Sequence, residues 1–76
     1  MNNARRKMLK QAVDLIVEAR EIIEETKAEE EEAYENYPSR LQMSENGQKM
    51  NDCIFNMEDL IGSLEEIEAS IEEMAG

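Results

Sequence analysis

From Met50 onward the chain repeats a seven-residue phrase: MNDCIFN, MEDLIGS, LEEIEAS, IEEMAG. Met50, Met57, Leu64 and Ile71 open the phrases, and Cys53, Leu60, Ile67 and Met74 stand three places later. Apolar residues alternating three and four apart share one face of an α-helix, whereas strand side chains alternate every second residue. The stretch therefore predicts a long helix over about residues 45–74, with the first and fourth positions of each phrase as its seam. A stripe of that kind requires another helix against it.

A second periodic segment precedes it. Leu9, Ala12, Ile16, Ala19, Ile23, Thr26, Glu30, Ala33 and Tyr37 keep the same spacing, with Met8, Val13, Leu15 and Ile22 as a flank. This predicts a helix over about residues 4–36, capped by Asn2 or Asn3. Pro38 closes it, because proline lacks an amide hydrogen and pushes the preceding residue out of the helical region. Residues 37–44 read as a turn in which Ser39 and Gln42 have capping-box spacing and Ser44 can start the next helix. Two long helices joined so briefly are antiparallel neighbours. The fold class is all-α, one helical-hairpin domain over residues 1–76.

Charge fits that hairpin. Arg5, Arg6 and Lys7 begin the first helix while Glu72 and Glu73 end the second. Both placements oppose the helix dipole, so the expectation is that the two sets meet at the open end.

One partner helix does not cover the second helix. Only the second and third positions of its phrases are consistently charged or strongly polar; fifth positions include Ile54 and Ile61, and sixth positions Phe55 and Gly62. The acidic third of the first helix lies opposite Met50, Cys53, Ile54, Phe55 and Met57, which need more cover than it supplies. A chain of 76 residues also makes a marginal core on its own. These considerations predict a homodimer forming a four-helix bundle, with Met50, Cys53, Ile54, Phe55, Met57, Ile61 and Gly62 at the interface. Gly62 there lets another backbone come close, and Cys53 is expected to be buried and reduced in the stripe.

The formal net charge is −11. It argues against nucleic acid or anionic lipid as direct partners, since binding to either rests on Lys and Arg. A basic protein is the natural electrostatic partner. Glu18, Glu21, Glu25, Glu29 and Glu32 are the candidate docking residues, joined at the turn by Tyr34, Tyr37, Arg40 and Gln42. The chain has no His and one Cys, and its paired carboxylates have nothing to separate their pKa values. No catalytic residue, metal site or cofactor is expected, and the protein reads as non-enzymatic. The absence of a long apolar run points to a cytoplasmic protein.

The turn residues Asn36-x-Pro38-x-x-Leu41-Gln42-x-Ser44-Glu45, followed by acidic heptads, resemble a group of small acidic helical-hairpin proteins of Gram-positive bacteria and their phages. Ser39 and Asn46 stand where members often carry an acidic residue and an Arg. The resemblance implies a phage or bacterial context, in which small acidic proteins inhibit defence or nucleic-acid-binding proteins by charge mimicry, as anti-CRISPR and anti-restriction proteins do. A structural adaptor dimer is the alternative. A further one is an oligomer that sequesters a nucleotide signal, for which Arg5, Arg6, Lys7, Lys10 or Arg20 would supply the positive charge.

Overall fold

A computed structural model describes all 76 residues, which form α1 (Asn3–Glu35), α2 (Ser39–Gln42) and α3 (Glu45–Ala75). The two long helices pack closely and antiparallel in a rod of 58 × 14 × 13 Å. Its radius of gyration is 17.2 Å, against roughly 11 Å for a compact domain of this length.

Local chemistry sets the helix ends. The Asn2 side chain accepts from the Arg5 amide at 2.8 Å, and the Ser44 hydroxyl accepts from the Gly47 amide at 3.2 Å. Each satisfies one of the amides that a helix start leaves without a partner. The short turn expected over residues 37–44 contains one helical turn of its own, α2. Ser39 and Gln42 form no capping box, because Pro38 occupies the cap position of α2. Gln42 instead donates to the carbonyls of Tyr34 at 2.9 Å and Tyr37 at 3.2 Å, filling acceptors at the end of α1. Asn46 donates to the Tyr37 hydroxyl at 3.0 Å, which ties the start of α3 to the same place.

The seam differs from the sequence expectation in both helices. α1 faces α3 with Leu9, Val13, Ile16, Arg20, Ile23, Lys27, Glu30 and Tyr34, continued just past its end by Tyr37, all buried or half-buried. α3 answers with Gly47, Met50, Ile54, Met57, Ile61, Leu64, Glu68, Ile71 and Ala75. In α3 the first and fifth positions of each phrase are therefore inside, and the fourth positions, Cys53, Leu60, Ile67 and Met74, are exposed. In α1, Val13, Arg20, Lys27 and Tyr34 replace Ala12, Ala19, Thr26 and Ala33. Each helix is turned by about 50° from the expected face. The physical reason is that each apolar arc is wider than one neighbour covers, so the hairpin uses one edge of it. Cys53, expected inside, is accordingly exposed.

An ion pair between Arg20 and Glu68 marks the register. Val13 and Ala75, both buried, line one shallow hollow at the same offset along the rod. Residues before about Lys10 consequently project past the end of α3 by roughly 12–15 Å. The expected meeting of Arg5, Arg6 and Lys7 with Glu72 and Glu73 does not occur, and no ion pair joins them. α3 ends too early to reach them. Only Lys10 shares a hollow with Glu72.

Candidate docking surface

Heptad letters describe the rod's flanks, with a and d facing the neighbouring helix. Val13, Arg20, Lys27 and Tyr34 of α1 are a positions, as are Ile54, Ile61, Glu68 and Ala75 of α3. The e positions line one flank and the g positions the other. The e flank is acidic: Glu24 and Glu31 from α1 face Glu58 and Glu65 from α3 across a groove of about 440 Å³. Lys27 lies in that groove with its ammonium 3.3 Å from Glu31. Gly62 and Ile61 complete the lining, so Gly62 belongs to the acidic flank, with open space where a Cβ would stand.

Arg20 and Glu68 form the one cross-helix ion pair. The Arg20 Nε donates to Glu68 Oε2 at 2.6 Å and its Nη2 to Oε1 at 3.2 Å, the two-pronged geometry that suits guanidinium and carboxylate. A third bond, from Nη1, reaches Glu24 at 2.5 Å. Glu68 is buried and Arg20 half-buried. The hydrogen bond to Glu68 first, and that to Glu24 second, hold the Arg20 pKa above its ordinary value. With three donors engaged, Arg20 is committed to the seam and does not face solvent as an anion ligand. The pairing was missed in the sequence, although Arg20 is the only Arg between Arg6 and Arg40 and Glu68 the only carboxylate at a fifth position.

The residues singled out from the sequence separate into three groups. Glu18, Glu25 and Glu32 are exposed and seven apart, forming one outward row of α1, with Glu21 and Glu29 exposed on either side of it. At the turn only Arg40 is exposed and unengaged. Tyr34 and Tyr37 are half-buried in the seam, and Gln42 clamps the carbonyls above them. Of the expected interface residues, Met50, Ile54, Met57 and Ile61 lie half-buried against α1, while Cys53, Phe55 and Gly62 are exposed. No group of three or more potential metal ligands converges anywhere on the rod.

The g flank is unlike the e flank. It carries Cys53, Leu60, Ile67 and Met74 from α3 and Ala12, Ala19, Thr26 and Ala33 from α1, with Met8, Leu15 and Ile22 in the adjacent row. Leu15 lies level with Met74, and Ile22 with Ile67. This strip is more apolar than the seam itself, which includes Arg20, Lys27, Glu30 and Glu68.

No helix is long and apolar enough to cross a membrane. No family model matches the chain, and neither a curated protein nor a solved structure matches it.

Proposed function

We propose that the chain is a non-catalytic protein-interaction module: a cytoplasmic homodimer of hairpins, completing a four-helix bundle, that presents acidic flanks to a basic protein surface. One observation carries the reading, the division of the rod into an apolar flank and an acidic one. Glu24, Glu31, Glu58 and Glu65 line a single groove, where Lys27 pairs with Glu31 and Arg20 reaches Glu24 from the seam, while Glu58 and Glu65 have no cation beside them. Like charges brought together across two helices oppose the hairpin that holds them. A basic partner would relieve that repulsion, gaining both encounter rate and selectivity from the complementary potential. In the phage or bacterial setting that the turn residues imply, the partner class is a nucleic-acid-binding protein. The acidic rods would occupy its basic channel, in the manner of an anti-CRISPR or anti-restriction inhibitor. Two copies carry −22, twice the −11 of one chain.

Affinity capture from a bacterial lysate tests this, run at 50 and 500 mM NaCl with the wild type and a Glu24→Gln, Glu31→Gln, Glu58→Gln, Glu65→Gln variant. The expected result is a basic nucleic-acid-binding protein held by the wild type at low salt and released at high salt, with the variant capturing little of it. Capture indifferent to both salt and the four substitutions would overturn the electrostatic reading.

A further inference from the structure

We infer that the flank bearing Leu60 and Ile67 is the self-association face, and that two hairpins lie head to tail across it. In this arrangement the basic N-terminal overhang of each copy rests beside the acidic, turn-proximal part of the other. The inference rests on the homodimer proposed above and specifies its face and direction.

Surface area identifies the occupant as a second copy. The chain exposes 5804 Å², about 1,000 Å² more than the roughly 4,800 Å² typical of a folded monomer of this mass. Met8, Leu15, Ile22, Leu60, Ile67 and Met74 are each 46–67% exposed on one side of the rod. Together they leave on the order of 600 Å² of apolar side chain in water, the upper end of what a monomer usually shows. Packing that strip with its alanine and serine neighbours against a copy of itself approaches the roughly 800 Å² per partner of a standard interface. A two-fold contact of this kind is self-complementary by construction.

Charge gives the direction. Arg5, Arg6 and Lys7 project past the end of α3 with no ion pair to it, and Lys10 at the edge of this overhang shares a hollow with Glu72. The Glu29–Glu35 stretch lies at the other end of α1 with five carboxylates. Parallel hairpins would set basic end on basic end and acidic on acidic. Head-to-tail hairpins bring Lys7 and Lys10 level with Glu32 and Glu35 of the second copy, and Arg5 and Arg6 level with its turn, where Arg40 and Lys49 also stand. The apolar layers permit this: with the two-fold axis at the Ile22 and Ile67 level, Leu15 and Met74 of one copy meet Leu60 of the second. Met8 then falls level with Cys53 of the second copy, whereas the two Cys53 residues stand about 40 Å apart.

Disulfide trapping with the full chain reads the arrangement directly, because a bridge requires Cα atoms within about 7 Å. The wild type and a Met8→Cys variant are oxidised at a concentration where sedimentation equilibrium has fixed their mass, and the cross-links are mapped by mass spectrometry. The expected result is a dimeric mass for both, no covalent dimer of the wild type, and a bridge between the thiol introduced at position 8 and Cys53 of the second copy. A Cys53–Cys53 bridge in the wild type would establish parallel hairpins, overturning the direction while the homodimer stands. A dimeric mass with no bridge in either protein would place association on another face and overturn the inference alone. A monomeric mass for both would remove the homodimer and this arrangement together.

Discussion

Arg20 and Glu68 occupy seam positions where Leu or Ile would bury more apolar area. A buried ion pair recovers its desolvation cost only with good geometry, and often adds less stability than a well-packed apolar pair. Its contribution here is registration. An apolar layer can slide by a heptad at modest cost, whereas a guanidinium that must find one carboxylate cannot. Glu68→Ala is therefore expected to destabilise the hairpin, because the Arg20 Nε and Nη2 donors lose their acceptor and only Glu24 still pairs the cation. The double variant Arg20→Met, Glu68→Leu should regain most of that stability in urea unfolding, while losing uniqueness of register, read as broadened amide resonances. A double variant as unstable as Glu68→Ala would show that the pair itself supplies the stability. The raised Arg20 pKa fixes the sign of its pH effect. Its contribution is complete below the ordinary arginine pKa and is lost only as pH climbs through the higher folded value, so measurements between pH 6 and 9 leave it unchanged.

At the scale of the helices, the ends were legible and the rotation was not. Asn2, Pro38 and Ser44 act through bonds to their own neighbours, so their effect can be read from a few adjacent residues. Which edge of a broad apolar arc turns inward depends on what the other helix offers, and no single helix contains that information. Pattern reading favoured the rows with Leu60 and Ile67 because they are the most apolar. The hairpin places Glu68 and Ala75 inside instead, because Arg20 and Val13 stand opposite them. The two glycines within α3 differ for the same reason. Gly47 is buried in the first turn, where an added Cβ would come within 2.4 Å of the Gln42 and Leu41 carbonyl oxygens. A Cβ on Gly62 would meet nothing within 4 Å. Gly47→Ala should consequently lower the melting temperature despite alanine's better helix propensity, since backbone must move to admit the methyl. Gly62→Ala should raise stability by about 0.5–1 kcal/mol, the ordinary gain in a helix interior. Thermal unfolding followed by circular dichroism distinguishes the two, and equal shifts would contradict the different surroundings of the two sites.

The whole rod brings these local choices into one balance. A hairpin 58 Å long and 14 Å wide has little interior: Val13 and Ala75 are its only buried apolar residues. Conformational entropy of about 1–2 kcal/mol per ordered residue opposes folding of any chain, and a seam this thin returns little against it. The g flank holds apolar groups that a second copy would cover in the proposed dimer, which would make folding and association one equilibrium. On that proposal stability depends on concentration. Raising wild-type protein from 5 to 500 μM should lift its melting temperature by roughly 5–10 °C. Ile67→Glu isolates the cause, because Ile67 is already 46% exposed in the single chain and its replacement leaves the α1–α3 seam intact. That variant should lose the concentration dependence and melt at or below the wild type's dilute value. Substituting Phe55→Glu instead, on the opposite side of α3, should leave the dependence in place. If the wild-type melting temperature stayed constant over that hundredfold range, the hairpin would be complete as a single chain, and its exposed apolar flank would have to be explained by some other partner.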